Sequence, residues 1–462
     1  RQRCARSRIL PLCLSGDLKG DAAAPCEDIL AAKFRGSGVA CGSGVVRDTD
    51  CDRFKAGKAG QVRITVVCSM RNEGPFIVEW VSWYRMLGFT DVAGSTAGPS
   101  AIRNLTSTLT LEAVINARQN LDLSTDTLLD MPQVLTSWSR LYQLLLAAFP
   151  AERYLQGTAV TRVEEHADGV TVHAERDGQA QQWQGDLVVA SDGIRSVVRQ
   201  QYFAQTQPRY AGYVAWRGVC DESVLSQHTL ATLFPRFGFC MTDTEQIIGY
   251  PVAGPGNDLS PGRRAYNFVW YRPVAAGDAL ARLMTDADGV HHPQGVPPNR
   301  VSWRHIAQAR QEAQRLLAPQ FAEVIEKTAQ PFFQPIFDLQ SDRLCAGRIA
   351  VMGDAAFVAR PHIGMGVTKA AEDAVALADA IQLHGATREA LQAYESARLQ
   401  AGQQAVARAR WLGGYMEQAS SPAQALACAP LGVAERVHQT LHETAIDLGR
   451  YGHLSAFQAP QT

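Results

Sequence analysis

At two places far apart in the chain, a short hydrophobic run is followed by an acidic residue beside a glycine. Gly353 and Asp354 follow residues 348–352 (RIAVM), and Asp192 and Gly193 follow an apolar run (DLVVAS). A carboxylate placed after a buried strand lies at the carboxyl edge of a sheet, where ligands bind in open α/β folds. There it can accept hydrogen bonds from ligand hydroxyls. Each segment taken alone is equally typical of an ordinary turn between a strand and a helix.

The residues after Asp354 predict a helix start that is suited to an anionic ligand. Gly364 and Gly366 lie in the intervening loop, which also contains Pro361, and glycine lets backbone N–H groups approach a ligand closely. A helix is predicted over 367–384. Its first turn would present unpaired N–H groups and a partial positive charge to whatever lies in front of it.

The elements that must position these residues follow from the periodicity of the apolar side chains. Residues 61–69, 186–191 and 348–352 have the composition of strands, and Asp168 with Gly169 indicates a hairpin between strands at 158–164 and 169–175. The region 207–335 contains strand-like segments, among them 229–241 (TLATLFPRFGFCM), which predict a separate α+β domain of antiparallel strands. Helices are predicted over 76–87, 137–149, 367–384 and 387–412.

Composition excludes several classes of protein. The chain has 462 residues with 44 Lys and Arg against 45 Asp and Glu, a net charge of −1, so it lacks the basic footprint of a nucleic-acid-binding protein. We find no apolar stretch of the ~18 residues that a membrane span needs. No two of the ten cysteines have the spacing of a zinc or redox site, and no metal ligands are predicted. A reduced, cytoplasmic protein is expected.

We call these two segments the acidic corners: Asp192 with Gly193, and Gly353 with Asp354. Together they resemble one known family. Residues 192–199 (DGIRSVVR) match a D-G-x-x-S-x-x-R segment, and residues 353–366 match G-D-A-A-x-x-x-x-P-x-x-G-x-G. In this order the two segments resemble the FAD-dependent aromatic hydroxylases, the group typified by para-hydroxybenzoate hydroxylase. Residues 353–362 (GDAAFVARPH) and the earlier residues 210–219 (YAGYVAWRGV) are most similar to the 2,6-dihydroxypyridine hydroxylase branch. The resemblance covers about residues 119–416.

The resemblance implies an α/β fold. We expect an incomplete Rossmann-like FAD-binding fold with an inserted antiparallel-sheet (α+β) substrate domain and C-terminal helices. The FAD-binding domain is predicted over 119–206 and 336–416, without its first βαβ unit, and the substrate domain over 207–335. Residues 61–118 are predicted to be a glycosyltransferase-like fragment and junction, 1–60 are unassigned, and 417–462 form a C-terminal tail.

The resemblance also implies roles for individual residues. Asp354 would hydrogen-bond the ribityl chain of FAD, and Pro361 would lie against the flavin ring. The backbone N–H groups of Val367 and Thr368 would face the pyrimidine edge of that ring. The remaining residues implied to contact FAD or the nicotinamide are Arg140, Asp192, Gly193, Arg199, Gly353, Gly364 and Gly366.

The implied reaction is a monooxygenation. NADH or NADPH would reduce FAD, O2 would add to give a flavin C4a-hydroperoxide, and a small electron-rich aromatic or N-heteroaromatic substrate would take up one oxygen atom. The family often forms homodimers. His362, beside Pro361, can hydrogen-bond a phenolate-like substrate or assist its deprotonation, although a histidine there is also typical of a helix cap or a surface residue.

Four further side chains lie on the predicted strands of the substrate domain. They can line an aromatic pocket, but ordinary sheet packing explains them equally well. These residues are Trp216, Arg217, Trp270 and Tyr271.

The beginning of the chain departs from this family. We find no strand followed by G-x-G-x-x-G, the segment that holds the FAD pyrophosphate, and the glycines at 36, 38 and 42 are spaced one residue too far apart. Instead, residues 66–92 resemble the opening of a nucleotide-sugar glycosyltransferase through R-N-E-G-P-F at 71–76 and E-W at 79–80. One acidic D-x-D pair lies upstream of this segment, at 48–50, and another lies far downstream, at 286–288. A glycosyltransferase fragment and an inactive chimeric chain are therefore the alternatives to a monooxygenase.

Overall fold

The computed structural model describes residues 151–418 without interruption. Before them it describes 64–67, 108–111, 113–117, 128–129, 133–136 and 138–149, and after them the single residues 437, 440 and 441. The predicted helix at 76–87, the glycine-containing segment at 36–42 and the R-N-E-G-P-F segment lie outside the described residues.

The strands are numbered in chain order. They are β1 (Ile64–Val67), β2 (Thr108–Leu111), β3 (Ala113–Ala117), β4 (Leu128–Leu129), β5 (Gln133–Thr136), β6 (Thr158–His166), β7 (Gly169–Arg176), β8 (Gln179–Gly185), β9 (Leu187–Ala190), β10 (Arg209–Asp221), β11 (Arg236–Met241), β12 (Gln246–Val252), β13 (Ala265–Pro273), β14 (Phe332–Gln340), β15 (Cys345–Ala346), β16 (Ile349–Val351) and β17 (Phe357–Val358).

The α-helices are α1 (Trp138–Ala148), α2 (Val197–Tyr202), α3 (Gln227–Leu233), α4 (Asp278–Leu283), α5 (Trp303–Leu316), α6 (Pro319–Lys327), α7 (Gly366–His384) and α8 (Arg388–Gln418). The predicted helices at 137–149, 367–384 and 387–412 are confirmed as α1, α7 and α8. No helix of the described ranges combines the length and the apolarity that crossing a bilayer requires.

A sheet that we call the parallel sheet contains the two acidic corners. Its strand order is β1-β9-β16-β15, with β1, β9 and β16 parallel to one another and β15 antiparallel to β16. The four residues of β9 are all inaccessible to solvent, as are those of β16, because helices and the β6–β8 meander cover the sheet. The strands predicted at 186–191 and 348–352 are thus confirmed, and the strand predicted at 61–69 forms over Ile64–Val67.

A second sheet, which we call the large sheet, has the order β17-β14-β10-β13-β12-β11-β3-β4. One of its faces packs on α5 and α6 through Trp216, Phe268 and Trp270. The opposite face packs on the end of α8 through Tyr213, Tyr271 and Met416. The antiparallel domain predicted between the two acidic corners is confirmed in this sheet.

Two details of this region differ from the predictions. Strands β3 and β4 join the large sheet, so residues 113–117 and 128–129 pair with strands of the region predicted as the substrate domain rather than with the segments to which we assigned them. Residues 227–233 form helix α3 instead of the first part of a strand. The helix forms because the Ser226 hydroxyl accepts a hydrogen bond from the backbone N–H of Thr229 and so caps its first turn.

Candidate active site

The two acidic corners lie side by side at the carboxyl edge of the parallel sheet. Val351 pairs with Ala190 in register, and the backbone N–H of Met352 donates to the Ala190 carbonyl at 3.0 Å. The Arg199 guanidinium then bridges the two segments by donating to the Ala355 carbonyl at 3.0 Å. Segments about 160 residues apart therefore meet at one edge, which is the position where α/β folds bind ligands.

A buried network on helix α7 fixes the corner that carries Asp354. Gly353 has φ +59°, a conformation that glycine adopts without steric cost. Its N–H donates to the Asp373 carboxylate at 3.2 Å, and its carbonyl accepts from Lys369 Nζ at 3.1 Å. Arg398 on α8 donates to the other oxygen of Asp373 at 2.8 Å. The corner is thus held by two helices, and the Asp354 side chain needs no part in holding it.

The carboxylate of Asp354 has no hydrogen-bond partner among the described residues. The side chain is only partly exposed, and burial raises its pKa to about 6, an effect opposed by the positive charge of Lys369. A carboxylate that is desolvated yet unpaired is costly unless a ligand supplies donors. This site therefore fits a partner that carries hydroxyl groups.

The start of helix α7 supplies unpaired donors close by in the sequence. The first helical bond from this turn is donated by the Lys369 N–H to the Met365 carbonyl at 2.8 Å, and no side chain caps the turn. The N–H groups of Gly366, Val367 and Thr368 thus have no intrahelical acceptor. Gly364, with φ +62°, turns the chain into this helix, and Val367 is exposed. The predicted helix start, with backbone N–H groups that have no intrahelical acceptor, is therefore present in the structure.

Asp192 and Arg199 are engaged within the protein rather than exposed to a ligand. One Asp192 oxygen accepts from the backbone N–H of Val197 at 2.8 Å, at the start of helix α2, while the other is buried without a partner. Burial raises the pKa of this carboxyl. The Arg199 guanidinium donates to the carbonyls of Gly193 and Ile194 as well as to Ala355. Both side chains shape the corner, and Gly193, with φ +76°, permits the turn.

Arg140, the remaining predicted cofactor contact, lies on helix α1 and is half-buried. Its implied role toward the cofactor stays a prediction. Helix α1 itself touches the loop between β12 and β13, since Gln143 accepts a hydrogen bond from the Asn257 side chain at 3.2 Å.

His362 is buried against the large sheet, and helix α8 lies on it at Gly413, so it neither caps a helix nor faces solvent. Its Nε2 lies 2.7 Å from the Tyr213 hydroxyl, and its Nδ1 lies 3.1 Å from Gln246 Oε1. Because the amide oxygen can only accept, Nδ1 carries the proton and Nε2 accepts from the tyrosine. Burial, together with the charge of Arg360, lowers the pKa of His362 to about 3. The expectation that His362 hydrogen-bonds a phenolate substrate or removes its proton does not fit, since both nitrogens are occupied and the ring is a weak base.

Sequence reasoning missed the partners that hold this segment. Arg360 donates to Asp338 at 2.8 Å and to Glu417 at 3.1 Å, and Asp338 also accepts from Arg410 at 2.6 Å. These ionic contacts fix the chain just before Pro361, which is half-buried in a short 3-10 turn. No sequence motif connects residues so far apart. The one available signal is the alternation of side chains along β10, which places Tyr213 on a defined face of that strand.

The acidic pair at 286–288 does not have the character of a metal site. The Asp286 carboxylate accepts from the backbone N–H groups of Asp288 and Val290, each at 2.9 Å, and pairs with His292 at 2.7 Å and Arg300 at 3.2 Å. The hydrogen bond to His292 is the main reason that the pKa of Asp286 is lowered. The carboxylate stabilises its own loop, which weakens the glycosyltransferase alternative.

The residues present fit the flavin that the family resemblance implies. The unpaired Asp354 carboxylate suits the hydroxyls of a ribityl chain, and the N–H groups of Val367 and Thr368 suit the oxygen and nitrogen acceptors of a flavin ring. The described residues thus supply donors and acceptors for the ring and ribityl part of FAD. The glycines at 36, 38 and 42, whose spacing differs from G-x-G-x-x-G, lie outside the described residues.

Comparison with known proteins gives a consistent picture. Residues 210–338 match the model of the FAD binding domain-like family, and residues 291–409 match the FAD binding domain model. The chain is 32% identical over 267 residues to 2,6-dihydroxypyridine 3-monooxygenase of Paenarthrobacter nicotinovorans, covering 58% of this chain and 65% of that protein. It is 29% identical over 284 residues to 3-amino-4-hydroxybenzoate 2-monooxygenase of Streptomyces cremeus, covering 61% of this chain and 62% of that protein.

These matches span less than two thirds of the length of either relative. In three dimensions, the chain is similar to 2,6-dihydroxypyridine-3-hydroxylase from Arthrobacter nicotinovorans, with a TM-score of 0.67 at 24% identity, over 78% of this chain and 94% of that one. The α/β fold with its antiparallel sheet is therefore shared with that hydroxylase.

Proposed function

We propose, from its similarity to FAD-dependent aromatic hydroxylases nearest the dihydroxypyridine branch, that this chain is an FAD-dependent monooxygenase. Its substrate would be a small electron-rich aromatic or N-heteroaromatic ring that carries a hydroxyl group. The observation that carries the proposal is the meeting of three features at one sheet edge. These are the two acidic corners, the unpaired Asp354 carboxylate and the open start of helix α7.

The chain's own residues would bind and orient the cofactor. Asp354 would accept hydrogen bonds from the ribityl hydroxyls, while the N–H groups of Val367 and Thr368 would stabilise negative charge on the ring. Pro361 would lie against the ring. The chemistry supplied by a bound flavin is acceptance of hydride from NADH or NADPH and transfer of one oxygen atom from O2 to the substrate.

His362 would act by positioning rather than by proton transfer. Its neutral ring, held between Tyr213 and Gln246, joins β10 and β12 of the large sheet to the segment that begins with Pro361. That link sets the distance between the substrate-domain face and the flavin site. The buried aromatic residues around it exclude water, which protects a reactive oxygen-transfer step.

The curated relatives support the substrate class. Their names give a dihydroxypyridine and an aminohydroxybenzoate as substrates, both of which are hydroxylated rings rich in electrons. The shared chemistry is oxygen transfer to a ring position activated by a hydroxyl or amino group. The same class is therefore proposed for this chain.

The test begins with the colour of the purified chain. A flavin absorption spectrum, with NADH or NADPH consumption that increases when a hydroxylated ring is added, supports the proposal. The Asp354→Ala variant is expected to lose about tenfold or more of its FAD affinity, because a hydrogen-bonded charged group is removed. Asp342→Ala, which removes an exposed carboxylate from the preceding loop, is the matched control and should keep its flavin.

Two outcomes contradict the proposal. If Asp354→Ala retains its full flavin content, the carboxylate does not contact the cofactor and the site assignment is wrong. A colourless chain that cannot be reconstituted with FAD instead favours an inactive chimera, whereas a colourless chain that hydrolyses a nucleotide sugar with a divalent metal favours a glycosyltransferase fragment.

A further inference from the structure

Helix α7 carries a lysine that is almost completely buried beside the candidate active site. The side chain of Lys369 is 2% exposed, and a lysine is seldom buried to this extent unless its charge is paired. Its Nζ donates to the Gly353 carbonyl at 3.1 Å. That carbonyl belongs to the peptide group that joins Gly353 to Asp354, so the ammonium lies against the corner that carries the unpaired carboxylate.

The acidic side chain that contacts Lys369 is already paired with another cation. One oxygen of Asp373 lies 3.5 Å from Lys369 Nζ, a long distance for a charged pair, and it also accepts from the backbone N–H of Gly353 at 3.2 Å. The other oxygen of Asp373 accepts from Arg398 at 2.8 Å. The principal partner of Asp373 is therefore Arg398, and the charge of Lys369 is only partly balanced by it.

The charges around this corner balance when Asp354 is included. Lys369 and Arg398 bring two positive charges into this part of the interior, and Asp373 brings one negative charge. Glu372 also pairs with Arg398, but 45% of its side chain is exposed, so water screens its charge. The carboxylate of Asp354 supplies the second negative charge. A buried cation that is left without such a counter-charge would be costly.

The other charged groups at this sheet edge are engaged elsewhere. Arg199 on α2 donates to three backbone carbonyls, and the charge that acts on it is that of Asp192. Strand β17, which follows the corner, carries no charged residue. Burial raises the pKa of Asp354, the positive charge of Lys369 lowers it, and the negative charge of Asp373 raises it. The cation that acts on Asp354 is thus Lys369.

We infer that Lys369 is the counter-charge of Asp354 and keeps this carboxylate ionised in the folded chain, in the form that accepts hydrogen bonds from ribityl hydroxyls. Lys369 is then a positioning residue of the proposed flavin site. The inference rests on the proposed function for the identity of the ligand and deepens it by a dependence on pH. Protonation removes the charge of the carboxylate and turns one acceptor into a donor, so flavin binding should weaken as Asp354 takes up a proton.

The first test is the titration of Asp354 in the flavin-free chain. Carbon NMR follows a chain that is isotope-labelled at the side-chain carboxyl of aspartate, and the Asp354→Asn variant identifies the resonance by its disappearance. In the unmodified chain the midpoint is expected near pH 6. Lys369→Met should raise this midpoint by about one pH unit or more, because burial and the charge of Asp373 then act without an opposing charge.

Two further variants separate the charge of Lys369 from its hydrogen bond. Lys369→Gln keeps a donor for the Gly353 carbonyl but no charge, and it should raise the midpoint as Lys369→Met does. Lys369→Arg keeps the charge and should hold the midpoint within about half a pH unit of the unmodified chain. Lys327→Met is the matched control. It removes the exposed lysine at the end of α6, the other lysine in the described part of the chain, and should leave the midpoint unchanged.

The second test measures FAD dissociation constants by flavin fluorescence between about pH 5 and about pH 9. For the unmodified chain the constant should rise about fivefold or more as Asp354 is protonated, and for Lys369→Met the rise should begin about one pH unit higher. Asp354→Asn should remove this dependence on pH. The double variant should bind FAD as Asp354→Asn does, because Lys369 acts through Asp354. A lysine that only supports the fold would weaken binding further in the double variant.

The inference is overturned if the midpoint of Asp354 in Lys369→Met lies within about half a pH unit of that in the unmodified chain. It is also overturned if Lys369→Gln restores the unmodified midpoint, since the hydrogen bond rather than the charge would then be responsible. If Lys369→Met does not fold, which circular dichroism reports, the comparison of Lys369→Gln with Lys369→Arg decides the same question.

Flavin binding distinguishes this inference from the proposed function. If the midpoint of Asp354 moves as expected but the unmodified chain binds no FAD, the proposed function fails and Lys369 remains the counter-charge. If the unmodified chain binds FAD and the midpoint does not depend on Lys369, the inference fails and the proposed function stands.

Discussion

The imidazole of His362 is kept neutral because its two nitrogens are bound within the protein and burial disfavours the charged form. The folded chain therefore binds the proton of this group only near pH 3, whereas an unfolded histidine binds it near pH 6.5. Between these values the unfolded state holds more protons. The contribution of neutral His362 to the free energy of unfolding is thus complete above about pH 6.5, and it is lost as the pH falls from there toward pH 3.

We therefore expect that the free energy of unfolding of His362→Gln falls less steeply with decreasing pH than that of the unmodified chain. Between about pH 7 and pH 5 the unmodified chain should lose about 2 kcal/mol more unfolding free energy than the variant, since one proton changes stability by about 1.4 kcal/mol per pH unit. Denaturant unfolding at several pH values measures this difference. Tyr213→Phe is the control, because it removes the hydrogen bond but leaves the imidazole buried, and it should keep the steep profile. Parallel profiles for the unmodified chain and His362→Gln would contradict the assignment.

At the scale of elements, a buried ionic network joins β14, the segment before Pro361 and the end of α8. Asp338 is inaccessible to solvent and accepts from both Arg360 and Arg410, while Arg360 also pairs with Glu417. Such a network gives little net stability compared with apolar packing, but it fixes the elements in one arrangement, because an unpaired buried charge is costly. It therefore positions the turn that presents Pro361 and His362.

Asp338→Leu should destabilise the chain by about 3–5 kcal/mol, because it leaves two arginines without their shared carboxylate. Denaturant titration gives the free energy of unfolding. Arg209→Met provides the contrast: its guanidinium is more than half exposed and pairs with Glu417 at 3.1 Å, so its loss should cost less than about 1 kcal/mol. Equal effects of the two variants would show that the buried network does not hold these elements together.

At the scale of the whole molecule, helix α8 connects the two sheets. Tyr394 and Val406 pack in the core of the parallel sheet, while Tyr415 and Met416 pack against the large sheet. Since one continuous helix contributes to both cores, unfolding of either unit should disrupt the other. The proposed cofactor site, which lies at the edge of the parallel sheet, is thereby coupled to the stability of the large sheet.

Addition of FAD should accordingly raise the melting temperature of the whole chain in a single transition. At a hundredfold excess over the dissociation constant the stabilisation is about 2.7 kcal/mol. Tryptophan fluorescence reports on the eight tryptophans of the chain, among them Trp216 and Trp270 in the core of the large sheet, and far-ultraviolet circular dichroism follows all elements. Both signals should shift together, and Asp354→Ala, with about tenfold or more weaker binding, should reduce the stabilisation by about half or more at the same FAD concentration. Two separate transitions, with only one responding to FAD, would contradict this coupling.

The sequence by itself determined the local elements and the two acidic corners. The buried strands at β9 and β16, the hairpin of β6 and β7 and the helices α1, α7 and α8 follow from short-range periodicity and from turn residues, which act over a few positions. Asp354 and the open start of α7 could be predicted because a strand, a turn and a helix start are consecutive in the chain.

Only the tertiary structure decided which distant side chains meet. The contact of Tyr213 with His362 joins residues 149 positions apart, and the placement of β3 beside β11 depends on packing across the whole sheet. No local pattern encodes such contacts, because they arise from the register of strands and the burial of their faces. The same burial turned His362 from an expected base into a neutral hydrogen-bonded residue, which no spacing of residues in the sequence could indicate.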